Sequence, residues 1–175
     1  LAIDPETFVQ STVNRASNVL SKEISKDQKM KELEVIAIDT VDIRGIGFYT
    51  LGSYKKTLND DQKKEYSKLF EKYFLKSFSS RLAEYTNPQI TVVTKEKLSE
   101  KYTIVSSILV ATEDRPEVKI NWRIYTKDVE RPLIRDLIIE GLSLARTQKE
   151  EFSSIIETNN GNIDSLFSVL KDFVK

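Results

Sequence analysis

Apolar positions recur along this chain with two periods, and the switch between them falls at Asn87 and Pro88. Before that point the spacing is three and four. Asp4 followed by Pro5 reads as an N-cap with proline at the first helical position, and Phe8, Thr12, Val13, Ala16, Val19, Leu20 and Ile24 then return at helical intervals. Met30, Leu33 and Ile36 mark a second helix. From Asp39 to Tyr54, Ile43, Ile46, Thr50 and Leu51 keep helical spacing while Gly45 and Gly47 weaken it, and the stretch is read as helix. The clearest element runs from Asn59 to Tyr85. Asn59 with Gln62 three residues on forms a capping-box start, and Tyr66, Leu69, Phe70, Tyr73, Phe74, Ser77, Phe78, Leu82 and Tyr85 make one amphipathic stripe.

After Pro88 the period becomes two. Ile90 to Thr94, Tyr102 to Thr112, Glu117 to Tyr125 and Leu133 to Glu140 predict four strands, with Asp114, Arg115 and Pro116 in a turn. The third alternates cleanly: Val118, Ile120, Trp122 and Ile124 share one face, and Glu117, Lys119, Asn121 and Arg123 share the other, so one side of the sheet should face water. Two closing helices carry Phe152, Ile155 and Ile156, then Ile163, Leu166, Phe167, Leu170 and Phe173, with Asn159, Asn160 and Gly161 between them. Helices, antiparallel strands and helices again give an α+β order with helices over one face of a four-stranded sheet. No repeat or linker divides it, which predicts a single domain over residues 1–175.

Composition narrows the function. Lys plus Arg is 27 and Asp plus Glu is 27, so no basic excess exists to neutralise many phosphates, and nucleic acid is not an expected partner. No apolar run approaches the length of about 18 residues that a bilayer span needs. Cysteine and histidine are both absent, which removes a Ser-His-Asp triad, a Cys-His pair and the usual zinc sites. Gly45 and Gly47 form a lone GxG, and the glycine spacing from Gly47 to Gly52 lacks the Lys-Ser/Thr of a P-loop. Asp42, Asp136 and Glu140 could serve as general acids or bases, but carboxylates at element ends more often cap helices or pair with cations such as Arg44 and Arg135. Leu1 in place of Met reads as a trimmed N-terminus, with any signal segment lost before it. No metal or cofactor is expected.

Two ordered blocks then stand out: Val41, Asp42 and Ile43 running on to Leu51, Gly52, Ser53 and Tyr54, and Asp136, Glu140, Gly141, Leu142 and Ser143 followed by Lys149 and Phe152. Over about residues 5 to 174 they resemble the MlaC family, also called the toluene-tolerance or Ttg2 family. Two places depart from its pattern: Pro132 stands where members often carry Trp, and Gln148 precedes Lys149 where Tyr is usual. The resemblance implies a curved sheet with helices closing over its concave side, in the manner of the NTF2-like cone. It implies a periplasmic, non-enzymatic carrier of phospholipid, serving between an inner-membrane ABC complex with an MCE-domain subunit and an outer-membrane lipoprotein associated with a porin. The pocket expected on that basis is lined by Ile43, Ile46, Leu51, Phe70, Phe74, Phe78, Leu82, Ile120, Trp122 and Ile124. Without the resemblance, the same residues read as an ordinary core, and an NTF2-like enzyme or a small-apolar-ligand module remains open. Lys64, Lys68, Lys72 and Lys76 recur at i, i+4 on the long helix, and read either as a solvated face or as a docking stripe for an acidic partner.

Overall fold

The computed structural model describes residues 1–175. The first half is helical: α1 (Pro5–Leu20), α2 (Lys26–Thr40), α3 (Ile43–Leu51) continuing into a 3₁₀ segment over Gly52–Thr57, and the long α4 (Asp60–Leu82). Each of these four α-helices begins at a side-chain cap, because the first amide groups of a helix have no partner inside it. Asp4 accepts from the Thr7 amide at 3.1 Å, Ser25 from that of Gln28 at 3.1 Å and Asp42 from that of Gly45 at 3.0 Å. Asn59 and Gln62 exchange bonds of 2.9 Å in both directions, which is the capping box expected there. The helix stops at Leu82, so Tyr85 lies beyond it and is exposed, not part of the inner stripe.

The sheet has five strands where four are expected. In a simple meander β1 (Ile90–Lys97), β2 (Tyr102–Leu109), β3 (Val118–Tyr125), β4 (Leu133–Ile139) and the two-residue β5 (Leu142–Ser143) pair antiparallel in chain order. The fifth is too short to show a period in sequence; it exists because Glu140 and Gly141, with φ of 49° and 83°, form a two-residue turn that folds Leu142 back onto Ile139. Register slips at Val93 in β1 and at Arg135 in β4, and these bulges bend the sheet into its curve. At the edge of β1 the Gln10 side chain takes the place of a missing strand. Its amide donates to the Ile90 carbonyl at 3.3 Å and accepts from the Val92 amide at 3.1 Å, which covers part of a row that would otherwise invite pairing.

α5 (Leu144–Thr158) and α6 (Asp164–Phe173) close the chain, separated by Asn160 and Gly161 at positive φ. Burial divides between two main cores. One lies on the inner face of the sheet, where Val105, Ile120, Trp122, Ile124 and Ile134 pack with Val9 and Val13 of α1. The other is helical, and joins Ile43, Ile46 and Leu51 of α3 to Tyr66 and Phe70 of α4 and to residues of α5 and α6. A small third cluster of Val19, Leu20, Leu33 and Ile36 ties α1 to α2. α1 covers the sheet at β1 and β2, α3 and α5 reach it at β4, and α4 packs on α2, α3 and α6 instead of on any strand.

Candidate functional site

Phe70, Phe74, Phe78 and Leu82 follow one another at i, i+4 and therefore share a line along α4. Their burial falls along that line. Phe70 is 1% exposed and belongs to the helical core, whereas Phe74, Phe78 and Leu82 are only half-buried. The rings stack as the line proceeds, Phe70 on Phe74 at 6.1 Å between centroids and Phe74 on Phe78 at 5.5 Å with planes 10° apart. Offset stacks of this kind hold apolar faces in a fixed direction.

The inner face of the sheet loosens in the same sense. Ile124 and Ile134 pair at one end and are buried, while toward the other end Leu137, Ile139 and Val118 are half-buried on the same face as Trp122 and Ile120. The chain just past α4 meets the open end of the sheet, where the Arg115 guanidinium lies 5.6 Å from the Tyr85 ring. The polar atoms of the inner face are already satisfied. The Trp122 indole donates to Ser107 Oγ at 2.8 Å, and Ser107 donates to the Ile120 carbonyl at 2.7 Å. What remains is an apolar seam between two cores, touched from both sides by Val41.

The ten residues expected to line a pocket are thus not brought together as one surface. Ile43, Ile46, Leu51 and Phe70 lie in the helical core, Ile120, Trp122 and Ile124 in the sheet core, while the half-buried Phe74 packs against the helical core, Phe78 stacks on Phe74, and Leu82 packs against the small cluster that ties α1 to α2. Leu137, Ile139 and Phe8 pack half-buried against the sheet core and are not among the residues expected to line a pocket. Leu137 and Ile139 sit in an apolar run whose facing depends on the bulge at Arg135, and no local pattern reports a bulge. Two surface clefts lie elsewhere: one of about 560 Å³ at Ala2, Tyr125 and Lys127 to Glu130, the other of about 350 Å³ between Tyr49 and α5.

The two sequence blocks prove to be joints. Asp42 caps α3, its amide donates to the Ile134 carbonyl at 3.0 Å, and its carboxylate forms an ion pair with Arg135 Nε that lacks hydrogen-bond alignment. Arg135 also donates to the Tyr102 hydroxyl at 3.0 Å and lies 4.7 Å from the Tyr125 ring. Asp136 accepts from the Ser143 hydroxyl and from the Ala145 amide at 3.0 Å, and Ser143 in turn caps α5 through the Arg146 amide at 3.0 Å. Glu140 accepts from the Lys119 amide at 2.6 Å. Gly52, at φ 54° and ψ −132°, ends α3 in a conformation open essentially to glycine, and Lys149 lies over it with its ammonium 5.2 Å from the Tyr49 ring. Arg44 turns to Phe48 at 5.5 Å, not to an acid. These carboxylates are committed to holding helices and strands.

Of the four lysines, Lys64, Lys68 and Lys72 are exposed on α4. Each stands two residues before a member of the aromatic stripe, about 200° around the helix from it, so the row lies opposite the seam. Lys76 is different. It is half-buried, donates to the Phe173 carbonyl at 2.6 Å and sits 5.1 Å from the Phe173 ring, clasping the end of α6.

A family model described as MlaC protein matches residues 9–172 of the chain. In three dimensions the chain is similar to the phospholipid-binding protein from Ralstonia solanacearum, solved in complex with a phospholipid: the TM-score is 0.82 over 98% of this chain and 97% of that one, at 15% sequence identity. At that identity the likeness is one of fold.

Proposed function

Because the chain belongs to the MlaC family, we propose that it is a phospholipid-binding shuttle of the periplasm, a carrier whose cargo tails lie in the seam between α4 and the inner face of the sheet. The observation that carries this reading is that apolar residues stay half-buried on both elements, Phe74, Phe78 and Leu82 in a line along α4 and Leu137 and Ile139 on the inner face of the sheet. A neighbour of the same fold holds a phospholipid. Each methylene left in water costs about 0.8 kcal/mol, so two long acyl chains represent on the order of 20 kcal/mol that the carrier must cover. The tails therefore go inside, and the seam widens to admit them. A headgroup gains nothing from burial unless it is paired, so it stays at the rim.

The same family supplies the expected partners: an inner-membrane ABC complex with an MCE-domain subunit, whose ATP hydrolysis drives the transport, and an outer-membrane lipoprotein associated with a porin. Extraction of gently purified protein with organic solvent, followed by mass spectrometry, tests the reading. Diacyl phospholipid in about equimolar amount is the expected result. Protein that carries no such lipid and takes none up from vesicles would overturn it.

A further inference from the structure

We propose that Arg115 receives the phosphate of the cargo's headgroup at the mouth of the seam, an inference that rests on the lipid-binding reading above. Arg115 occupies the turn between β2 and β3, closed by backbone bonds of 2.8 and 3.3 Å exchanged with Thr112. Its guanidinium lies 5.6 Å from the Tyr85 ring, so the turn reaches across to the chain leaving α4. Its Nε is buried and has no acceptor. None of the molecule's ion pairs includes it, although Glu113, Asp114 and Glu117 are close in sequence.

Arg115 as a whole is half-buried, so part of its guanidinium is open to solvent while the Nε–H is shielded and unpaired; an unpaired shielded donor is costly to keep, and its presence asks what acceptor arrives. A phosphate suits a guanidinium well, because two parallel N–H groups meet two oxygens. The Tyr85 ring, 5.6 Å from the guanidinium carbon, adds a cation–π contact. Position ties the group to the seam. Burial relaxes toward this end along both walls, Leu82 lies three residues before Tyr85, and Val118 and Ile139 stand at the same end of the sheet. An acyl chain laid along Phe74, Phe78 and Leu82 brings its glycerol end to Tyr85 and the phosphate beside Arg115. The carboxyl end of α4 and the three nearby acids disfavour an anion here, so recognition falls to this one side chain instead of to a general positive field.

The test compares delipidated wild type, Arg115→Gln and Arg115→Lys after incubation with vesicles holding equal parts of phosphatidylethanolamine and the diacylglycerol with the same tails. Wild type should capture the phospholipid in preference by about tenfold or more. Arg115→Gln should take up as much diacyl lipid in total with the preference gone, and Arg115→Lys should fall between. A Gln variant that keeps the full preference overturns the proposal and leaves the carrier function standing. Wild type that captures neither lipid overturns both. Circular dichroism reports folding; should Arg115→Gln unfold, Arg115→Lys decides, its reduced preference supporting the assignment and an unreduced one overturning it. Inorganic phosphate alone, followed by the amide resonances of the Thr112 to Arg115 turn, should give no saturable shift. Saturable binding without lipid would make this a free-anion site and overturn the lipid assignment.

Discussion

Gly47 shows how one missing methyl sets a helix packing distance. A Cβ there would stand 2.8 Å from Cδ2 of the Phe70 ring, and that ring is buried and cannot swing away. Gly47→Ala is expected to destabilise by about 1–3 kcal/mol through overpacking, read from the midpoint of a urea titration. At Asp4 the decisive contact is the hydrogen-bonded ion pair with Lys95. Its carboxyl is held below the usual 3.8 mainly by the hydrogen bond from the Lys95 ammonium, which outweighs the opposing cost of desolvation, with the Thr7 amide helping. A carboxyl depressed in the folded state contributes stability above its unfolded value and loses it as the pH falls through the folded one. Asp4→Asn keeps a capping oxygen and removes the charge, so its unfolding midpoint should decline less than that of wild type as the pH drops below 3.8. Equal slopes would mean that the exposed pair with Lys95 contributes nothing.

At the scale of elements, the strand-to-helix joint at Asp136 and Ser143 is local chemistry with a long reach. Asp136→Ala leaves the Ala145 amide without its acceptor and frees the Ser143 side chain, and should cost about 1–2 kcal/mol, with faster hydrogen exchange confined to the first turn of α5. The line along α4 makes a graded prediction. Phe70→Ala in the closed core should cost about 3–5 kcal/mol whether or not lipid is present. Phe78→Ala should cost clearly less in delipidated protein and should weaken lipid retention more. Matching losses for the two variants would make the whole line packing and remove it from the seam.

For the whole molecule, the exposed Lys64, Lys68 and Lys72 form a positive row in a chain whose charges balance, 27 against 27. A shuttle must leave each partner as readily as it binds, so its contacts should be polar and fast. Reversing Lys68 and Lys72 to Glu is expected to slow association with at least one membrane partner and to flatten its salt dependence, because exposed charges act over about 8–10 Å at physiological ionic strength. Lipid content should not change, since the row faces away from the seam. Surface plasmon resonance at several salt concentrations decides it, and unaltered rates with both partners would leave the lysines a solvated face. Lys76→Ala should act otherwise, loosening α6 without touching association.

Periodicity alone determined most of the elements. The stripe of α4, the capping box at Asn59 and the alternation of β3 are local patterns, and local hydrogen bonding and burial of one face were enough to realise them. The absence of histidine and cysteine likewise removed whole classes of chemistry before any fold was known. Tertiary structure alone decided which apolar residues close into cores and which stay half-open: Phe70 and Phe78 look alike in sequence, and only the approach of α3 to one and not the other separates them. It also decided that Lys76 clasps α6, that Asp42 meets Arg135, and that Arg115 stands over Tyr85 with a buried donor unpaired. Each of these joins residues some 30 to almost 100 positions apart, and such contacts depend on how bulges curve the sheet and how helices cross, which no short window of sequence encodes.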